Sequence, residues 1–86
     1  MKHRVRAAGI LIRGDSILLV LHRHPKNSSE WWIPPGGGLK EEDGSIFQTA
    51  QREIFEETGL TAQLSRISFI REFRETSINI HHLDFF

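Results

Sequence analysis

The sequence predicts an α/β fold on three observations. One helix has legible ends, apolar runs of strand length flank it on both sides, and turn clusters separate those runs. The helix is placed at Ile46 to Thr58. Ser45 with Gln48 reads as a capping box, and Gly59 as the left-handed residue that stops the helix. At about 100° per residue, Ile46, Phe47, Ala50 and Ile54 form an apolar arc for packing on a sheet.

Before the helix, Val5 to Ile12 and Ile17 to Leu21 are rich in branched residues and are separated by the turn cluster Arg13-Gly14-Asp15-Ser16, so they read as a hairpin of sheet-forming strands. Arg23 reads as a solvated strand end. His22 to Glu30 is polar and broken by Pro25, hence a loop with exposed histidines. Trp31 and Trp32 then alternate across a short extended segment. Core packing is the expectation for either ring taken alone, and stacking on a base or ribose is open to the outward one, assigned to Trp32. Gly36-Gly37-Gly38 reads as a glycine turn that lets main chain approach a ligand.

After the helix, the loose alternation of Leu64, Ile67, Phe69 and Phe73 predicts a strand over Leu64 to Phe73 with a bulge near Ile67. Ion pairs of Glu72 and Glu75 with Arg71 and Arg74 are the expected arrangement beyond it. Ile78 to Phe86 is a further strand, which sends His81 and His82 to opposite faces.

Composition narrows the function. The 86 residues amount to one domain at most, with a small core. Eleven Lys plus Arg balance eleven Asp plus Glu, which argues against broad attraction to a nucleic acid polymer or a membrane. Without cysteine there are no disulfides, zinc-thiolate sites or thiol catalysis. The apolar runs are too short to span a bilayer, and Arg13-Gly14-Asp15 interrupts the start, which does not read as a signal peptide. A cytoplasmic location is the default expectation.

The chemistry concentrates on the helix. Glu53, Glu56 and Glu57 lie three and four residues apart and share a face as one carboxylate cluster. Their repulsion is relieved by a hard divalent cation such as Mg²⁺ or Mn²⁺. The bland alternative is an acidic amphipathic helix with no ligand.

The run Arg52-Glu53-Ile54-Phe55-Glu56-Glu57-Thr58-Gly59-Leu60 resembles the second half of the Nudix box, R-E-U-x-E-E-x-G-U with U aliphatic, at every defined position. Pro35-Gly36-Gly37-Gly38-Leu39 is similar to its glycine entry. One part departs: counting back from Arg52 puts Gly44 where the box has its first Glu, whereas counting forward from Gly37 brings Asp43 there. A loop longer by one residue, with Asp43 or Glu42 replacing that acid, accounts for this.

The resemblance implies a Nudix-type α/β/α sandwich with a mixed sheet and a metal-dependent hydrolase. Its substrate would be a nucleotide-type small molecule, a nucleoside diphosphate linked to another moiety, cut at the diphosphate. Glu53, Glu56 and Glu57 would hold Mg²⁺ (or Mn²⁺), Arg52 would orient a carboxylate, and Gly37, Gly38 and Trp32 would face substrate. Nudix domains are longer, so residues 1–86 are expected to be such a domain cut short at its C-terminus. The apolar terminal strand is then expected to be uncovered and open to a second copy completing the sheet. The alternative function is a nucleotide-binding or regulatory module without turnover.

Overall fold

A computed structural model describes residues 1–64 and 66–86. In chain order the elements are β1 (Lys2–Ala8), β2 (Ile12–Arg13), β3 (Ser16–Ile17), β4 (Val20–Arg23), β5 (Glu30–Ile33), β6 (Gly36–Gly38), α1 (Ile46–Thr58), β7 (Ile70–Glu75) and β8 (Ile80–Phe85). The principal sheet is mixed, in the order β6-β1-β8-β7. β1 runs parallel to β8 and antiparallel to β6, and β7 runs antiparallel to β8. Two small antiparallel pairs, β2 with β3 and β4 with β5, stand apart.

α1 has the bounds its sequence signals. Ser45 is extended (φ −164°, ψ 168°), its Oγ accepts from the Gln48 N–H, and Gly59 closes the helix at φ 77°. The reciprocal half of the box is displaced: the Gln48 side chain accepts from the N–H of Gly44 rather than of Ser45. Ala50 and Ile54 are buried against β1 and β6, together with Thr49, which the apolar arc did not include. Ile46 and Phe47 are half-buried.

Tertiary pairing overrides local pattern at several places. The Arg13–Ser16 turn is present, with Ile12 opposite Ile17. β1, however, starts at Lys2 and ends at Ala8, and its partners are distant in sequence. His22 belongs to β4 rather than to a loop, since it pairs with Trp31, and Arg23, opposite Glu30, is the exposed last residue of that strand. Gly36–Gly38 is a strand and not a turn, and none of the three has a positive φ. Trp31 and Trp32 are 41% and 63% exposed, so neither is a core residue.

The strand expected over Leu64 to Phe73 begins only at Ile70; its Ser65 lies outside the described residues. The segment just before it attaches irregularly, through Ser68 and Phe69 N–H groups that both donate to the Phe86 carbonyl. Glu72 and Glu75 pair with His81 and His82, not with the neighbouring arginines, because cross-strand positions on one face lie closer than sequence neighbours. The terminal strand is not uncovered: β8 lies between β1 and β7, which leaves β7 at the edge.

The loop that enters α1 is fixed by charge. Asp43 accepts two bonds from the Arg52 guanidinium (Nε 3.0 Å, Nη2 2.9 Å), one from the Thr49 hydroxyl (2.9 Å) and one from the Lys40 N–H (3.0 Å). The same Arg52 Nη2 donates to the Gly38 carbonyl at 3.1 Å. Of the two acids that could replace the first Glu of the box, Asp43 is the one bonded to Arg52. The hydrogen bonds from Arg52 and then from Lys40 hold its carboxyl far below the usual carboxylate range.

Two expectations follow. Ile54, with no exposed surface, is expected to cost about 3 kcal/mol when replaced by Ala, and Phe55→Ala, at an exposed position, less than about 0.5 kcal/mol, both measured by urea unfolding. Asp43 takes up its proton less readily folded than unfolded. Its contribution to stability is therefore complete above its unfolded pKa of about 3.9 and is lost as the pH falls through and below that value. Asp43→Asn is expected to lower the thermal midpoint at pH 7 by about 5 °C or more and to flatten the loss of stability below about pH 4.

Candidate active site

α1 packs on the glycine strand, so Glu53 and Glu57 meet main chain on that side, at Gly37 and Gly36. A Cβ built on Gly37 would collide with the carboxylate of Glu53. Only a residue without a side chain lets Glu53 lie flat on the sheet there. Glu53 also accepts from Arg52 Nη1 at 2.8 Å, and the same nitrogen reaches Glu56 at 3.4 Å. Arg52 thus bonds carboxylates on either side, while Gly38 contributes a carbonyl that accepts from Arg52.

Glu57 is the acid with a raised pKa. Burial is the main cause and the neighbouring Glu53 charge the next, opposed by the Gly36 backbone N–H and by Arg6. Glu53 and Glu57 are thus a mutually repelling pair at the seam between helix and sheet. Glu56 stands further out, its side chain 50% exposed. Among the described residues no three His, Cys, Asp or Glu side chains converge closely enough to cage a metal ion. The donors fit a hard cation nonetheless. Magnesium is commonly held by one or two carboxylates with the remaining positions left to water and phosphate oxygens, and adjacent carboxylates with carbonyls nearby are that donor type.

Trp32 shares a cleft of about 570 Å³ with Glu57, Leu19, Leu21 and Arg23. The exposed ring therefore stands beside the acidic end of the helix. Gly37 and Gly38 take part by giving way to Glu53 and anchoring Arg52, so the structure brings together the residues singled out from sequence, with Glu56 the least engaged. Glu72 and Glu75 lie on another part of the sheet, bound to histidines.

Sequence reasoning missed a second cavity, of about 540 Å³, on the sheet face opposite α1. Arg4, Arg6, Trp31, Phe73, His82 and Asp84 are among its walls. Asp84 is buried, its Oδ2 accepts from Arg71 at 2.7 Å, and its Oδ1 has no partner. A carboxylate oxygen left free beside aromatic walls is an acceptor for an N–H donor. Alternation along β1 and β8 puts Arg4, Arg6, His82 and Asp84 on one face. That the two strands are neighbours could not be read from either alone.

Comparison with known proteins agrees with this geometry. The NUDIX domain profile matches residues 2–85. A human protein named nucleoside diphosphate-linked moiety X motif 6 is 35% identical over 71 residues, covering 81% of this chain and 22% of that protein. A MutT-like protein of Streptomyces ambofaciens is 32% identical, covering 77% of this chain and 40% of its own length. Among solved structures, a NUDIX hydrolase from Nitrosomonas europaea superposes with a TM-score of 0.83 at 28% identity, covering 98% of this chain and 55% of that one. The E. coli ORF135 protein superposes with a TM-score of 0.78 at 25% identity, covering 99% and 60%. The chain spans less than half the length of these curated relatives and a little over half of the structural ones. The mixed sheet with its single described helix, the acids along that helix and the matched profile give one conclusion: the chain belongs to the NUDIX family.

Proposed function

We propose that the chain carries the metal and phosphate site of a pyrophosphohydrolase that cuts the diphosphate linkage of a nucleoside diphosphate joined to another moiety. The observation that carries this reading is the repelling Glu53–Glu57 pair, seated on Gly37 and held in place by Arg52. When bound, Mg²⁺ (or Mn²⁺) neutralises phosphate charge and lowers the pKa of the attacking water.

The chain's own residues supply position. Glu53 and Glu57 present carboxylate oxygens at the helix–sheet seam, with Glu56 one turn along the exposed side. Arg52 turns Glu53 and Glu56 toward each other and offsets part of their repulsion. Trp32 offers a ring face in the cleft beside Glu57, suited to stacking on the base or ribose of a nucleotide. The curated relatives' name, with its nucleoside diphosphate-linked moiety, accords with that substrate class.

The test is hydrolysis of a panel of nucleoside diphosphate derivatives with Mg²⁺, followed by chromatography of the products. Product is expected from the wild-type chain. Glu53→Gln and Glu57→Gln are expected to weaken Mg²⁺ affinity in calorimetry by at least about 10-fold, with activity falling in step. Folding holds Glu57 protonated to a higher pH than the unfolded chain does, so its ionisation at pH 7 opposes folding. Glu57→Gln is accordingly expected to raise the thermal midpoint of the metal-free chain. Nucleotide binding without product would instead support a regulatory module, and unchanged Mg²⁺ affinity in both variants would leave an acidic helix with no ligand.

A further inference from the structure

We propose that β7 is a self-recognition edge through which two copies of the chain pair antiparallel about Phe73, forming one continuous eight-stranded sheet. β7 ends the principal sheet, every residue of it is exposed, and among the described residues no strand lies on its outer side. An open edge of this kind is a template for another strand. Which strand it suits is decided by its side chains.

The segment reads Arg71-Glu72-Phe73-Arg74-Glu75. Laid antiparallel on itself with Phe73 opposite Phe73, it sets Glu72 opposite Arg74 and Arg71 opposite Glu75. The two-fold axis repeats both, so every charged position faces its opposite. Centring the pair one residue earlier would oppose Glu72 to Glu72, and centring it between Glu72 and Phe73 would oppose Arg71 to Arg74. Opposite charges directly across a ladder stabilise it and like charges destabilise it, so the charge pattern selects one register.

The backbone is compatible with that register and excludes any centred between two residues, leaving the charges to choose among the rest. Phe69 and Phe86 exchange hydrogen bonds in both directions, at 3.3 and 3.0 Å. By alternation from that pair, Arg71, Phe73 and Glu75 turn their N–H and C=O groups toward β8, and Ile70, Glu72 and Arg74 turn theirs outward. Pairing about Phe73 matches Glu72 with Arg74, two outward-turned residues, so the exposed backbone groups meet partners. Phe73 then occupies a non-hydrogen-bonded pair, where side chains approach most closely. The side chains are free enough to engage: Glu72 is 62% and Arg71 61% exposed, despite contacts with His81 and Asp84. Neither the acidic helix nor the Trp32 cleft takes part.

The test is charge exchange read by sedimentation equilibrium. The wild-type chain is expected to reach twice its monomer mass with rising concentration. Glu72→Arg alone, or Arg74→Glu alone, opposes like charges twice over and is expected to weaken dimerisation by at least about 10-fold. Mixing the two single variants is expected to restore a dimer of one copy of each, and the double exchange within one chain to restore the homodimer. A second measurement does not depend on those variants folding well. The chain has no cysteine, so Phe73→Cys is expected to cross-link to itself under mild oxidation, its Cα atoms lying within disulfide reach, whereas Arg71→Cys is not. A wild-type chain that stays monomeric at millimolar concentration, single variants that dimerise unchanged, or equal cross-linking by both cysteines would overturn the proposal.

Discussion

The guanidinium of Arg52 is the interaction on which the rest of the site depends. It binds the loop through Asp43, the end of the glycine strand through the Gly38 carbonyl, and the helix's own acids through Glu53 and Glu56. Loop, sheet and helix thereby converge on one planar fork, with donors pointing in fixed directions. A lysine at that position would carry the same charge but could not satisfy four partners at set angles. With Asp43 on one side and Glu53 on the other, the guanidinium is held charged more firmly than usual. That charge allows several carboxylates to crowd the same turn without forcing the helix away from the sheet.

The second constraint is a lack of volume. Strand propensity disfavours glycine, yet β6 consists of nothing else. Cβ atoms on Gly36 and Gly37 would strike β1 main chain and the Glu53 carboxylate respectively. The local cost of a poor strand former is offset by pairing with β1 across Arg6, Ala7 and Ala8, and by the close approach that results. Glu53 and Glu57 end against backbone at Gly37 and Gly36, the arrangement on which the proposed cation and phosphate site rests.

These two constraints explain what could be read from the sequence. The helix, its caps and its run of acids were legible because the determinants are local: Ser45, Gln48 and Gly59 act within a few residues of the ends they set. The displaced first acid was legible only to a choice of two, Asp43 or Glu42, since the decision rests on Arg52 and Thr49 reaching across the loop. The glycine run was misread as a turn because Gly is the usual turn residue, while its reason here is a neighbour far along the chain. Trp31 and Trp32 were expected to include a core ring, but β4 and β5 form a hairpin apart from the main sheet, and both rings remain exposed. The cavity around Asp84 was illegible for a related cause: its walls come from β1, β7 and β8 together with the β4–β5 hairpin, and parallel neighbours leave no mark in either sequence alone.

Packing and electrostatics are arranged so that each supplies what the other lacks. Among the described residues the fully enclosed side chains are few, and Ile54 and Thr49 are two of them. Both lie on the helix beside the charged cluster: Ile54 follows Glu53 directly, and the Thr49 hydroxyl binds the acid that grips Arg52. A site made of repelling carboxylates needs a rigid base, because a small displacement would let the acids swing out into water and lose the shared geometry. A domain with so little enclosed apolar surface has few rigid places to offer. The acids stand on the best-packed part of the molecule, so the residue that buries the helix and the residues that would bind the cation alternate along the same turn. Loosening Ile54 would therefore disturb the charge cluster directly, and the cluster's repulsion in turn draws on the stability that Ile54 provides.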